Sequence, residues 1–360
     1  MTVTSESELA AAIRDATGPL RIQGGGTRPI GRPVVGEVLS TRGLTGITLY
    51  DPGALTIVVK TGTPVEEVEA ALAKEGQRLA FEPMDHRMLL GTDGTPTIGG
   101  VVAGNISGPR RIAVGACRDF MLGVTFVDGS GTLVKNGGRV MKNVTGYDLV
   151  KLMCGSYGTL GVMTEVALKV LPVASAETTL TITGLDPDQA VGAMSAALGS
   201  PFDVNGVAHD GQDTLFRLEG FSESVTYRTA ELTKHLAPFG TATPIDDSAA
   251  RWRAIRDVDV LAGASGDIWR LSVKPTDAPG ILEAIKPSAA LLDWGGGLIW
   301  LAIPPGTDVR SAIAQGHATL IRGTTHGPAF HPEPAPVAAI TQGLRDRFDP
   351  RGILNPGLMT

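Results

Sequence analysis

Three runs of small residues could present main-chain N–H groups, rather than side chains, to a ligand. The first follows the strand-like Leu20-Arg21-Ile22: Gly24, Gly25, Gly26 and Thr27, with Arg28 beside them as a counter-charge. Holding a diphosphate requires several N–H groups facing one anion, with no side chain where the backbone comes close. Glycine meets both needs, because it reaches the φ > 0 conformations that turn N–H groups inward. The second run is Thr97-Ile98-Gly99-Gly100, then Gly104, Asn105, Ser107 and Gly108, along an apolar segment that opens a short helix. Such a surface admits a flat ring system with Asn105 and Ser107 as donors to its polar edge; tight helix packing would use the same glycines. The third, residues 155–161 with Gly158, Thr159 and Gly161, leads into a strand from Val162 and can meet a nucleotide through its backbone. Three such loops in an otherwise ordinary composition point to one extended cofactor.

The specific nucleotide patterns are absent. G-x-G-x-x-G fails because Gly24-x-Gly26 is followed at the required position by Pro29, and G-x-x-x-x-G-K-[ST] occurs nowhere. This argues against a nicotinamide-type Rossmann domain and against a P-loop NTPase. In the second half, Arg270 lies within a strand-like run, Trp269-Arg270-Leu271-Ser272. Its guanidinium can grip a carboxylate bidentately or close a salt bridge inside its own domain. His317 and Arg322, on or beside another strand, carry the same two readings. His326 and His331 are five apart, off one helical face, so no metal pair is expected there and no metal elsewhere. Cys117 and Cys154 offer no CxxC pair for zinc or iron–sulfur and read as small buried hydrophobes in a reducing compartment.

The elements that must position these residues are legible from their punctuation. Ser5-x-x-Glu8 is a capping box ahead of Leu9, Ala12, Ile13 and Ala16 on one helical face, and Gly18-Pro19 stops that helix. A strand over 56–60 precedes a helix capped by Thr63, with Pro64 at its first position, Glu66 and Glu67 in its first turn, and Gly76 at its end. A strand over 120–128, the hairpin turn Asp128-Gly129-Ser130-Gly131 and a return strand over 132–135 follow. A further strand over 162–170 ends at Pro172. Beyond it glycine clusters cease. Strands over 178–182, 214–219, 268–273 and 298–303 alternate with helices over 187–198, 224–236 and near 278–285. The expected organisation is a two-part domain over 1–172, an α+β domain over 173–330, and a segment over 331–360 that ends in a helix to Phe348 and a Pro/Gly-rich tail.

Composition narrows the function classes. The 360 residues can bury a sizeable core, and 42% hydrophobic residues with mixed charge describe a globular protein. A net charge of −6 with no basic run and scattered aromatics gives no footprint for nucleic acid. The polar, acidic N-terminus lacks the form of a secretory signal, and no apolar stretch approaches the ~20 residues that span a bilayer. The expectation is a cytoplasmic protein that meets a membrane only through partners.

In this order and at these spacings, RIQGGGTRPIG, TPTIGGVVAGNISG, GYDLVKLMCGSYGTLGVMTE and FDPRGILNPG resemble the vanillyl-alcohol-oxidase, or PCMH-type, flavoprotein superfamily. The closer likeness is to the smaller flavin-binding subunits of bacterial glycolate oxidases, a family to which LLDWGGGLIWL and QGHATLIRG are also similar. The resemblance implies a two-subdomain FAD-binding domain topped by an α+β cap. It places residues 24–28 around the diphosphate, 97–107 beside the diphosphate and isoalloxazine, and 158–162 at the adenosine end, with Asn355-Pro356-Gly357 closing the site. Lys142 and Tyr147 fall in the stretch that family members place near the flavin, where Lys142 either stabilises anionic reduced flavin or lies on a solvated surface. The glycines of the first loop are followed by Thr27, not histidine, so the FAD is expected to be non-covalent.

The implied activity is oxidation of a small 2-hydroxy acid such as glycolate, with hydride passing from the α-carbon to flavin N5. Electrons then leave through a larger flavin-binding subunit and an iron–sulfur subunit. Related 2-hydroxy-acid dehydrogenases carry a metal-binding HxGDGNxH-like run in the cap. The similarly placed residues 292–300 here contain Asp293, Trp294 and Trp300 and no histidine. The alternative is therefore an FAD-carrying assembly or electron-relay subunit without turnover of its own.

Overall fold

A computed structural model describes residues 1–140, 146–323 and 327–359. Lys142 and His326 lie outside the described residues. The first helix, Glu6–Asp15, begins at Ser5, whose hydroxyl accepts from Glu8 N (3.2 Å). The Glu8 carboxylate reaches past the expected reciprocal bond to Thr4 N (2.7 Å). Leu9 and Ile13 are fully buried against the neighbouring strands. The strand Leu20–Gln23 pairs in parallel with Glu37–Ser40 and carries the chain into the first glycine run. A five-stranded antiparallel sheet lies beside this pair, in the order Ile47–Asp51, Thr56–Lys60, Val162–Lys169, Met121–Val127, Leu133–Gly137. Helices Val65–Ala73, Ile98–Ala103 and Leu149–Met153 cover it over one apolar core that includes Phe81, Phe126 and both cysteines. The second helix starts one residue later than its capping signal suggests. Pro64 is the N-cap, while Thr63 Oγ1 accepts instead from Gly46 N (2.9 Å).

The second half forms an eight-stranded, wholly antiparallel sheet. Its order is Thr243–Pro244, Ala176–Thr183, Asp213–Gly220, Gly206–His209, Ala289–Asp293, Leu298–Ile303, Asp267–Val273, Gly316–Arg322. The architecture is thus mixed α+β: an N-terminal two-part domain and a large antiparallel cap. Helices Pro187–Leu198, Ser222–Leu236 and Ala278–Ile285 pack on one cap face around Trp269, Leu271, Ile299 and Leu301. The opposite face receives the helix Ser248–Asp257 together with Ile30, Met84 and Leu89 of the first domain.

Polar groups fix how the cap sits. Arg217, 1% exposed and stacked on Trp252, grips Glu82 of the first domain with two bonds (2.8 and 3.1 Å). Glu219 pairs in return with Arg78 (2.7 Å) and Arg110 of the first domain. Removing one partner of such a buried pair costs about 3–5 kcal/mol, because the other charge is left desolvated. Arg322, read from sequence as a possible ligand-facing group, is instead a brace: it donates to Leu89 O (2.7 Å) and to Ala264 O. Trp294 Nε1 donates to Gly108 O (3.1 Å), tying the cap to the end of the second glycine run.

Candidate functional site

Among the described residues, none accepts a hydrogen bond from the backbone N–H of Gly24, Gly25, Gly26, Thr27 or Arg28. Backbone N–H groups in folded interiors are almost always paired, so the unpaired donors of buried Gly25 and Thr27, flanked by those of Gly24, Gly26 and Arg28, leave this turn available to an anion. The turn is held from behind. Arg42 donates to Gly25 O (2.9 Å), and Thr92 Oγ1 to Thr27 O (3.2 Å). Gly25 is required for a reason the sequence did not reveal. A Cβ there would stand 1.8 Å from Thr95 O, so this glycine lets residues 94–97 pass directly behind the loop. Gly26, at φ 74°, makes the turn itself.

Gly24, Gly25, Gly26, Thr27 and Arg28 line one cavity of about 420 Å³ together with Gly99, Gly100, Gly104, Gly158, Gly161, Val162 and Asn355. The three glycine runs therefore share a single trench. Thr97, Asn105, Ser107 and Thr159 do not line it. Thr97 is the N-cap of Ile98–Ala103, accepting from Gly100 N (3.3 Å). Asn105 Oδ1 accepts from Arg118 N (3.1 Å), and Ser107 Oγ accepts from Cys117 N (2.9 Å). These two side chains brace the loop rather than aim into the trench. Thr159 Oγ1 donates to Ser156 O (2.7 Å). Gly99 serves packing, since its Cβ would meet the Thr61 side chain at 2.6 Å, whereas Gly100 faces Arg28.

Asn355 closes the trench by clamping two distant segments. Its Oδ1 accepts from Ile22 N and its Nδ2 donates to Tyr157 O, both at 2.8 Å. Arg28 bonds no carboxylate: Nε donates to His86 Nδ1 (3.2 Å), and a terminal nitrogen donates to Met84 O (3.0 Å). Burial, opposed by Asp85, brings its pKa down to about 10. With Nδ1 accepting from a permanent cation, His86 carries its proton on Nε2. Burial, reinforced by Arg28, lowers the His86 pKa to about 3, so the ring stays neutral.

The period-two alternation of the cap strands decides which side chains look away from the helix-covered core, toward the first domain. Trp269 and Leu271 point into the helix-covered core, so Arg270 points the other way, and Trp300, its cross-strand partner, does likewise. His317 shares this face two strand positions along and is exposed. The Arg270 guanidinium lies 5.3 Å from the Trp294 ring centre and 5.8 Å from that of Trp300. Arg111 covers the Trp294 ring at 4.5 Å. Arg270 forms no salt bridge to a described carboxylate, contrary to the within-cap ion pair its sequence context also allowed. Burial brings its pKa to about 10. Asp293, on the same face, is buried and accepts from Trp294 N (2.7 Å). Burial pushes its pKa up to about 7, with Glu82 adding to the shift. The result is a cation-rich face of the cap on which the Asp293 carboxyl is largely protonated below neutral pH. Among the described residues, no group of three or more His, Cys, Asp or Glu is placed to hold a metal, and no helix is long and apolar enough to cross a membrane.

The raised Asp293 pKa fixes a pH dependence of stability. A carboxyl that binds its proton more tightly folded than unfolded stabilises fully below the unfolded value, and that contribution is lost as pH rises through about 7. Asp293→Asn removes the titration. Its urea midpoint relative to wild type is therefore expected to climb between about pH 4 and pH 7 and to level off above. A flat difference would show that this carboxyl titrates normally.

These features define a flavoprotein. The FAD binding domain family model matches residues 1–137, and the chain belongs to the PCMH-type FAD-binding family. It is 37% identical over 357 residues to the glycolate oxidase subunit GlcE of Escherichia coli (strain K12), covering 98% of this chain and 95% of that subunit. A D-lactate dehydrogenase of Anaerostipes hadrus is 31% identical over 185 residues, half of this chain and 37% of that enzyme. In fold, an alkyldihydroxyacetonephosphate synthase matches 99% of this chain and 75% of its own, at TM-score 0.70 and 17% identity.

Three residues beside the trench escaped the sequence reading: His86, Tyr157 and Arg111. His86 and Arg111 carry no local signal: His86 meets Arg28 from a distant loop, and Arg111 meets Trp294 of the cap. Tyr157 does carry one, an aromatic residue inside a glycine-rich turn.

Proposed function

We propose that this chain is the FAD-carrying subunit of a 2-hydroxy-acid oxidase complex of the glycolate oxidase type, with FAD held non-covalently. The observation that carries the reading is the row of five free N–H groups at Gly24–Arg28, which open into the trench shared by the three glycine runs. Residues 24–28 would hold the diphosphate, while Gly100 and Gly104 would leave room for the ring. Bound FAD would supply the two-electron acceptor, taking hydride from the substrate α-carbon at N5. Arg270 would grip the carboxylate of a small 2-hydroxy acid bidentately, and the indoles of Trp294 and Trp300 would exclude water around it. His317, exposed on the same cap face as Arg270, would assist approach of an anion rather than chemistry. Electrons would pass to a larger flavin-binding subunit and an iron–sulfur subunit in the cytoplasm, with any membrane contact made through them.

A second reading, an FAD-carrying assembly or relay subunit, is favoured by one feature: Asp293 to Trp300 offers one carboxyl and two indoles where related enzymes are metal-binding. The first measurement tests the flavin that both readings share, and the second separates them. Protein reconstituted with FAD is expected to be yellow at near one flavin per chain and to release all of it on acid precipitation, because no histidine follows the first glycines. Colourless protein, or flavin left in the pellet, would overturn the respective half of this statement. The isolated chain is then assayed with glycolate and D-lactate and an artificial acceptor; turnover without partners excludes the relay reading.

A further inference from the structure

Tyr157 sits at φ 51°, a left-handed conformation that side chains with a Cβ avoid, between Gly155 and Gly158, which adopt it at ease. Non-glycine residues persist there only when the surroundings over-determine them, and such residues cluster at ligand sites. Here the surroundings are rigid. Tyr157 N donates to Ala103 O (3.0 Å), and its carbonyl accepts from Asn355 Nδ2 (2.8 Å). The Phe330 ring meets the phenol ring edge-on at 5.1 Å between centres. The ring direction is therefore fixed, and its side lines the trench.

Among the described residues the phenol oxygen has no hydrogen-bond partner, yet it lies within the fields of both Arg28 and Arg270. Arg28 and Tyr157 line the trench together and Arg270 projects from the cap face, so the phenol stands where a charge from each domain acts on it. Burial holds the phenol above its ordinary pKa, which leaves the O–H a donor at any working pH.

We infer that the Tyr157 hydroxyl is a substrate-binding donor, completing with Arg270 a metal-free seat for the carboxylate end of a small 2-hydroxy acid. This rests on the substrate reading above. A single fork fixes a carboxylate in its plane but leaves it free to pivot. A second donor from the trench side stops the pivot and presents the α-carbon to the ring bound below.

The test uses Tyr157→Phe, which keeps the ring, its contact with Phe330 and the backbone bonds, and removes one oxygen. Both proteins are loaded with FAD and titrated with oxalate, an unreactive two-carbon dicarboxylate, by calorimetry and by the change in flavin absorbance. Flavin content and melting temperature are expected to match wild type, and oxalate affinity to fall about ten- to a hundredfold, as for loss of a hydrogen bond to a charged group. Equal oxalate affinities in the two proteins overturn the inference and leave the substrate reading standing. A shifted flavin spectrum before any oxalate is added, with affinity unchanged, overturns it in favour of a bond to the ring. Failure of flavin-loaded wild type to bind oxalate at all overturns the substrate reading and this inference with it.

Discussion

Alanine at Gly25 is expected to strip the protein of flavin, with FAD affinity falling at least about a hundredfold. The added Cβ would stand 1.8 Å from Thr95 O and 2.7 Å from Thr95 C, and both atoms are main chain. A flexible side chain could yield to such an overlap, but a backbone can do so only by moving as a segment. Residues 24–28 would then part from 94–97, and the loop that carries the five N–H groups would be displaced from the trench wall. A diphosphate held by several charge-assisted bonds responds steeply to that loss, since each is worth about 1.5–3 kcal/mol. Gly18→Ala is the matched control: no atom lies within 4 Å of its Cβ position. The measurement is the flavin-to-protein absorbance ratio after gel filtration, followed by fluorescence titration of the apoprotein. A Gly25→Ala protein that keeps FAD with wild-type affinity would mean the diphosphate lies elsewhere.

Arg270→Ala is expected to leave flavin content and melting temperature close to wild type while raising KM for the 2-hydroxy acid about a hundredfold or more in the assembled complex. Stability should hold because Arg270 pairs with no described carboxylate. Removing it also relieves the repulsion it shares with Arg111. Binding should suffer because truncating one partner of a buried guanidinium–carboxylate pair costs about 2–5 kcal/mol. Arg270→Lys restores the charge without the fork and should recover only part of the affinity. An unchanged KM for a carboxylate substrate would move the anchor elsewhere and favour the relay reading.

The features legible in the sequence were those written in local backbone chemistry. The strand over Thr56–Lys60, the turn at Asp128, the helix Pro187–Leu198 and the three glycine runs all announce themselves through neighbours a few positions away. The strands Gly206–His209 and Ala289–Asp293 did not, because they are short interior strands whose pairing comes from distant segments. The helix Ser248–Asp257 was missed as well. Its apolar side is mainly Trp252 and Ile255, too few residues to state a period. Side-chain roles were harder to read. Asn105 and Ser107 have the chemistry of ring donors, but their oxygens accept from backbone N–H groups at Arg118 and Cys117 that only folding brings near. Arg270 and Arg322 look alike as strand arginines. One stacks against indoles and the other donates to backbone carbonyls, a distinction set by sheet order.

Asn355 joins Ile22 and Tyr157, partners 333 and 198 positions away in the chain. The groove between the first and third glycine runs therefore cannot assume its final form on the ribosome until residues near 355 have emerged. Until then a nascent chain would present an incomplete pocket, so the first and third runs alone would hold a cofactor less firmly than the folded chain.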